Sequence, residues 1–313
     1  MKVLEELGNG RLQVDLGFQD SDGLIASYLL PAEEGWAVVE TGPTTSRARL
    51  LRGLKEAGID PGEVRHVLVT HIHLDHAGGL GAVAELLPNA RLYAHREGVA
   101  HLVDPSRLIA SARRAWGASA DPLWGPILPV PAARLVPLVG GERIGLKGGP
   151  LEVLATPGHA RHHLSFLDTG TRTLLTGDSL GVRLAESERA RPAVPPPDLD
   201  LEALFTSIER MKATVPRFVG YAHFGRLPVS ASTFEEYRGA VEEWRDIAWG
   251  VARETPTVPA VAQALREHEG NAEGAGRSRS EEDRGALVSS YDMAAQGLLR
   301  YFRTRGQLPA EGP

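Results

Sequence analysis

The sequence predicts a layered α/β protein, on three observations. Short apolar runs rich in branched residues alternate with segments of helical period along the first two-thirds of the chain. Hydrophobic residues make up 42 % of the 313, enough for a sizeable core and too many for a disordered chain. No apolar run reaches the roughly 18–20 residues that a membrane-spanning helix needs.

In chain order, strands are expected at 24–30, 36–40, 64–70, 91–94, 151–156, 164–167, 173–176 and 218–222, where apolar runs end in turn-forming residues. Helices are expected at 45–57, 80–87, 199–212 and 233–254, where apolar residues recur every three or four positions. Two segments break this rhythm. Residues 101–135, rich in Pro, Trp and Arg, read as an irregular, partly helical insertion. Residues 183–198 contain Pro195-Pro196-Pro197 and read as an extended, exposed loop. The main domain is expected over 1–250. Residues 251–313 then form a helical extension, with helices near 259–268 and 285–305 and a flexible loop at about 269–283.

The formal net charge of −6 comes without any long block of one sign, which argues against nucleic-acid and membrane-surface partners. The first residues lack a basic patch followed by an apolar run, so a cytoplasmic location is expected. There are no cysteines, which excludes disulfides, thiolate catalysis and Cys-bound zinc or iron–sulfur clusters. Any metal must be held by nitrogen and oxygen.

The segment THIHLDHAGG, residues 70–79, follows an apolar strand at once. Residues two apart on an extended backbone project to one side, so His71 and His73 can share an ion. Asp75 and His76 lie past the bend and can face a second ion, and Ala77-Gly78-Gly79 is expected to let the backbone turn tightly. Imidazole and carboxylate suit zinc, iron or manganese. Three later segments repeat one arrangement, an apolar strand ending in a potential ligand: LEVLATPGH ends on His159, RTLLTGDSL presents Asp178, and RFVGYAHFG presents His223. Strand ends are places where a packed scaffold can hold such groups rigidly.

The ordered set HxHxDH, TPGH, TGDS and YAHFG resembles the metallo-β-lactamase superfamily, in its glyoxalase II-like and lactonase-like branch, over roughly residues 10–230. The resemblance implies an αββα sandwich, two mixed sheets flanked by helices with metals at one edge. It implies that His71, His73 and His159 hold a first ion, that Asp75, His76 and His223 hold a second, and that Asp178 bridges them. The implied cofactor is a pair of divalent ions, zinc first and iron or manganese as alternatives. The implied reaction is attack of a hydroxide held between the ions on a thioester, lactone or related ester-type bond of a small molecule, with Asp75 taking up a proton. Two other reactions are compatible with parts of the motif: a persulfide dioxygenase with one iron, and, less favoured without a basic surface, a phosphodiesterase or nuclease. His73 argues against the flavodiiron branch, which carries Glu there.

His163 matches a second histidine of the glyoxalase-type TPGH motif and reads as a supporting group. One position departs from the family: the early strand ends in Val39-Glu40-Thr41-Gly42, where the family has Asp in place of Glu40. Among the other histidines, His66 reads as packed or at an edge, His95 as structural, and His101, His162 and His268 as surface residues. Substrate contacts are expected from the insertion and the Pro-rich loop. Arg107, Arg113, Arg114 and Arg183 are the candidate clamps for an anionic small molecule, beside Trp116 and Trp124; Tyr221 reads as core. The last helix is expected either to pack on the core or to make a contact in a homo-oligomer.

Overall fold

The computed structural model describes residues 2–185, 189–272 and 285–310, with the side chains of 271 and 272 left aside. Seven strands lie side by side in chain order in a first sheet: β1 (Leu4–Gly8), β2 (Arg11–Asp15), β3 (Ala26–Pro31), β4 (Trp36–Val39), β5 (Val64–Leu68), β6 (Arg91–His95) and β7 (Leu135–Leu138). β1 to β4 pair antiparallel, and β4 to β7 pair parallel. The second sheet contains β8 (Arg143–Ile144), β9 (Leu151–Ala155), β10 (Leu164–Asp168), β11 (Thr173–Gly177), β12 (Phe218–Tyr221) and β13 (Arg226–Pro228), again in sequence order across the sheet. Within it β11 and β12 are parallel and the other pairs antiparallel. Both sheets are therefore mixed.

The strands read as nearly continuous apolar runs because both of their faces are covered. Successive side chains point to opposite faces, and the packing follows that alternation. Ala37 and Val39 of β4 join the layer between the sheets, while Val38 joins the layer beneath the helices. Leu68 and Val67 divide in the same way, as do Leu175 and Leu174. On the first sheet the covering helices are α1 (Arg47–Glu56), the short α2 (Leu74–Ala77) and α3 (Leu80–Leu86), which bury Leu50, Leu54, Leu80 and Val83. The insertion follows β6 as α4 (Arg96–Val103), α5 (Ser106–Trp116) and α6 (Ala120–Trp124), a more regular segment than its composition predicts. On the second sheet lie α7 (Leu201–Ala213) and α8 (Thr233–Ala252), joined by α9 (Val258–Ala272) and α10 (Tyr291–Thr304). Their apolar faces merge around Leu204, Trp244, Leu265 and Leu298. The order helix, sheet, sheet, helix is the predicted αββα sandwich. None of the described helices is long and apolar enough to cross a membrane.

Several features differ from expectation, among them β7, β8 and β13, short strands that were not expected. The hairpin β1–β2 was not anticipated, although its turn, Asn9-Gly10, has positive φ at both residues (52° and 74°), which two-residue hairpins favour. Arg11 of that hairpin reaches across to the other sheet, where Nε and Nη2 donate to Asp168 at 2.8 and 3.2 Å. The Pro-rich loop is not exposed along its length: Arg191 to Val194 are buried. α10 presses on it so closely that a Cβ at Gly297 would meet the Val194 carbonyl oxygen at 1.9 Å. Finally, α9 runs on through Glu269 to Ala272 where a flexible loop was expected; residues 273–283 of that expectation lie outside the described residues.

α7 starts where Asp200 accepts a hydrogen bond from the Ala203 N–H at 3.0 Å, satisfying one of the helix's free amides. Asp200→Ala is expected to lower stability by about 1 kcal/mol, read as a shift in the urea midpoint at unchanged slope.

Candidate metal centre

The strands that carry candidate residues all deliver their C-terminal ends to one edge of the sandwich. β4 ends at Val39, just before Glu40, β5 at Leu68, shortly before Thr70 and His71, β9 shortly before His159, β11 at Gly177, just before Asp178, and β12 shortly before His223. The two sheets are stitched together there: the Leu164 N–H donates to the Thr70 carbonyl at 2.8 Å and the Ala26 N–H to that of Ala222 at 2.7 Å. Gly177 has φ +51°, and a Cβ on it would meet His163 Nε2 at 2.6 Å and Thr70 Oγ1 at 2.7 Å. Only glycine fits before Asp178. Gly78 and Gly79 serve otherwise than expected. Neither has positive φ; a Cβ on Gly79 would instead meet the Gly42 carbonyl oxygen at 2.8 Å, so closeness of packing fixes it.

All seven predicted site residues meet at this edge, in two groups. His71 Nε2, His73 Nδ1 and His159 Nε2 form a triangle with sides of 2.9, 2.9 and 3.2 Å. In the second group, Asp75 Oδ2 lies 3.5 Å from His223 Nε2 and 3.8 Å from His76 Nε2. Asp178 stands between the groups. Its Oδ1 faces His76 Nε2 and His223 Nε2 at 3.3 and 3.4 Å, and its Oδ2 faces His159 Nε2 at 3.5 Å. His71, His76, His159, Asp178 and His223 are buried, whereas His73 and Asp75 remain partly open to solvent.

The outward nitrogens decide which lone pairs face inward. His159 Nδ1 lies 3.0 Å from the Ala193 carbonyl oxygen and His223 Nδ1 lies 3.1 Å from that of Leu24, so each carries its proton there. Thr70 Oγ1 donates its one proton to Glu40 Oε1 at 2.5 Å, and therefore accepts from His71 Nδ1 at 3.1 Å. Glu40 Oε1 also lies 3.4 Å from His76 Nδ1. The residue that departs from the family pattern thus touches an imidazole in each group, one through Thr70 and one directly. Glu40 does so from a left-handed backbone, φ +72°, buried at 1 % exposure.

Charge separates the two groups. Burial, reinforced by neighbouring histidines, holds His71 and His73 well below the usual imidazole range, and burial lowers His159 as well. Burial also acts against the imidazolium forms of His76 and His223, yet carboxylates outweigh it: Asp178, Asp75 and Glu40 push His76 well up, and Asp178 with Asp75 raises His223. Asp178 is buried too, but His76, His223 and His159 hold its carboxyl well below its ordinary value.

His163 sits behind Asp178. Its Nε2 accepts from the Asp178 N–H at 3.0 Å, and its Nδ1 lies 2.9 Å from both Thr156 Oγ1 and Ser179 Oγ. The expectation of a surface His162 fails: it is buried, with its ring stacked 6.2 Å from that of His71, because the TPGH loop folds back over the HxH turn. His66 bonds the Tyr93 hydroxyl at 3.0 Å, and His95 accepts from the Glu97 N–H at the start of α4, so both are structural. Tyr221 is core.

A cleft of about 710 Å³ opens above His73, Asp75, His159 and Asp178. It lies between α5, the Pro-rich loop and the residues that lead into α10. Of the candidate substrate contacts, Arg114, Trp116 and Trp124 line it. Arg113 instead faces Asp121 at 3.9 Å, and Arg183 Nη1 donates to the Phe224 carbonyl at 3.1 Å. Leu287, Val288 and Met293 also line the cleft. Sequence reasoning missed them because nothing in a C-terminal helical pattern says which side of the sandwich it returns to.

The family model described as "Metallo-beta-lactamase superfamily" matches residues 21–223. Among curated proteins, the chain is 29 % identical to a metallo-beta-lactamase fold-containing protein of Sulfurisphaera tokodaii over 55 % of this chain and 64 % of that one. It is 34 % identical to a hydroxyacylglutathione hydrolase of Hahella chejuensis over 51 % of this chain and 48 % of that one. The chain thus spans about half to two-thirds of these relatives. Among solved structures, a metallo-beta-lactamase family protein of Thermus thermophilus superposes with a TM-score of 0.68 at 23 % identity, covering 92 % of this chain and 91 % of that one, a likeness of fold.

Proposed function

The chain belongs to the metallo-beta-lactamase superfamily, and on that premise we propose that it is a hydrolase that cleaves an ester-type bond, a thioester, lactone or related linkage, with a pair of divalent ions. His71, His73 and His159 would hold one ion, Asp75, His76 and His223 the other, and Asp178 both, in the three groups of potential ligands that lie together here. One observation carries the reading: His76 Nε2, His223 Nε2 and Asp178 Oδ1 are buried, converge with 3.3 and 3.4 Å between the oxygen and each nitrogen, and have no hydrogen-bond partner outside this set. Buried polar atoms are rarely left so, and a cation between them satisfies all three. The other group fits as well. Two nitrogens bound to one tetrahedral zinc stand roughly 3.3 Å apart, close to the 2.9–3.2 Å separations of the histidine triangle.

When bound, such ions lower the pKa of a coordinated water and polarise the oxygen of the bond to be broken. The chain's own residues supply the rest. Asp178 holds the two groups at a fixed separation from a rigid strand end. Asp75, partly open to the cleft, would hold an ion through Oδ2 and is placed to take a proton at its other oxygen and release it to solvent. Arg114 is a cleft cation able to meet a carboxylate on the substrate. A dioxygenase with a single iron would use only part of the cluster and leave the remaining buried atoms without a partner, so the two-ion reading is favoured.

Two measurements test it. Elemental analysis of the purified chain is expected to give about two ions per chain, zinc first, with turnover of thioesters or lactones in a substrate screen. Iron, with oxygen uptake on glutathione persulfide and no ester turnover, would replace the hydrolase by the dioxygenase.

Ion uptake should also be coupled to pH. A bound imidazole must be neutral, whereas His76 and His223 are raised above 6.5 without an ion and so hold protons near and somewhat above that pH. Loading near pH 7 is expected to release protons, and affinity to fall as the pH is lowered. Titration of the metal-free chain in weak buffer reads this directly; uptake with no proton release would contradict it.

A further inference from the structure

The proposed chemistry uses the floor of the cleft and leaves its walls unexplained. On one side α5 presents Leu108 and Trp116; on the other the approach to α10 presents Leu287 and Val288, followed by Met293. All five are only partly buried. They face a space of about 710 Å³, large enough for a small organic molecule. Partly exposed apolar side chains on both walls gain free energy when an apolar group displaces water between them. Above the floor the charge is sparse. Among the described lining residues there is one cation, Arg114, and one carboxylate, Asp292. A substrate bearing several phosphates or carboxylates would find no cluster of guanidinium or ammonium groups there.

The two walls differ in origin. α5 lies inside the matched residues 21–223, whereas Leu287, Val288 and Met293 lie beyond them. The cleft is closed on that side by this chain's own C-terminal extension, packed onto the Pro-rich loop at Gly297 and Val194. α10, which carries Met293 and follows Leu287 and Val288, is anchored, since it buries Leu298, Leu299 and Phe302 in the core beneath the second sheet, and Leu287 and Val288 themselves pack against the core of the first sheet.

Resting on the hydrolase reading above, we propose that the cleft selects ester-type substrates with an extended apolar acyl body, and that Trp116 and Leu287, one from the insertion and one from the extension, set this preference. The scissile bond then lies over His73, Asp75 and Asp178 while the acyl group runs up between the walls.

The test uses the metal-loaded full chain and a series of thioesters with one leaving group, from acetyl to octanoyl. Each methylene buried between the walls is expected to raise kcat/KM about fourfold until the cleft is filled. Trp116→Ala and Leu287→Ser, made separately, are expected to lower the octanoyl-to-acetyl ratio about tenfold. Calorimetry with the product acids supplies a readout apart from turnover, with octanoate binding more tightly than acetate. A flat series, equal binding of the two acids, or an unchanged ratio in both variants would overturn this proposal and leave the hydrolase reading in place. Turnover of no thioester, lactone or ester by a chain carrying its metals would overturn both.

Discussion

Replacing Asp178 by alanine is expected to cost at least about 10³-fold in kcat/KM, equivalent to about 4 kcal/mol of transition-state stabilisation, and to release at least one of the two proposed ions. The size of the effect follows from position. One oxygen of this carboxylate faces His76 and His223 and the other faces His159, so a single substitution removes an inward donor from both groups. The loss also leaves His76 and His223 without the carboxylate that does most to raise them. Asp178→Asn preserves volume but offers only one oxygen, and is expected to keep one ion better than the other. Metal content measured by mass spectrometry, beside circular dichroism to establish folding, separates loss of ligand from loss of fold. If a folded His71→Ala/Asp178→Ala double variant keeps both ions, the ligand assignment is wrong.

Glu40→Gln is expected to lower metal affinity or activity about 10- to 100-fold without contact with any ion. The amide cannot act as the negative partner of His76 Nδ1 at 3.4 Å, and it weakens the accepting end of the Glu40–Thr70–His71 chain. Both groups should therefore loosen together. Thr70→Val breaks only the arm to His71 and should mainly weaken the first ion, which distinguishes positioning through hydrogen bonds from a general loss of packing. Glu40→Asp, the residue common in the family, is one methylene too short for this backbone and is expected to fall between the wild type and Gln. A Glu40→Gln variant with the metal affinity and pH profile of the wild type would show that Glu40 orients neither histidine.

Much of the site could be read along the chain because metal-ligating chemistry is local in type even where it is distant in space. His71, His73, Asp75 and His76 fall within one turn after a strand, and His159, Asp178 and His223 each follow an apolar strand with a small residue nearby. Strand ends were legible from the apolar runs, since strands buried on both faces carry few interruptions. Other features left weaker traces. Glu40 showed only as a departure from a pattern, and its reach to both groups depends on a left-handed backbone and on Thr70 lying beside it. His162 was misplaced because burial of a polar residue is set by what folds over it. Arg11 carried no signal at all, for its partner Asp168 is 157 residues away.

By itself, then, the sequence determined the layered α/β class, the seven candidate ligands in their order, and the absence of any thiolate ligand. These depend on residue type and on spacing within single elements, which the chain carries locally. Tertiary structure decided the rest: the separation of the histidines into an uncharged group and a carboxylate-balanced group, the part played by Glu40, and the apolar walls that Trp116 and Leu287 build across the cleft. Each of these arises from groups far apart in the chain, whose distances and shared desolvation exist only once the two sheets have packed.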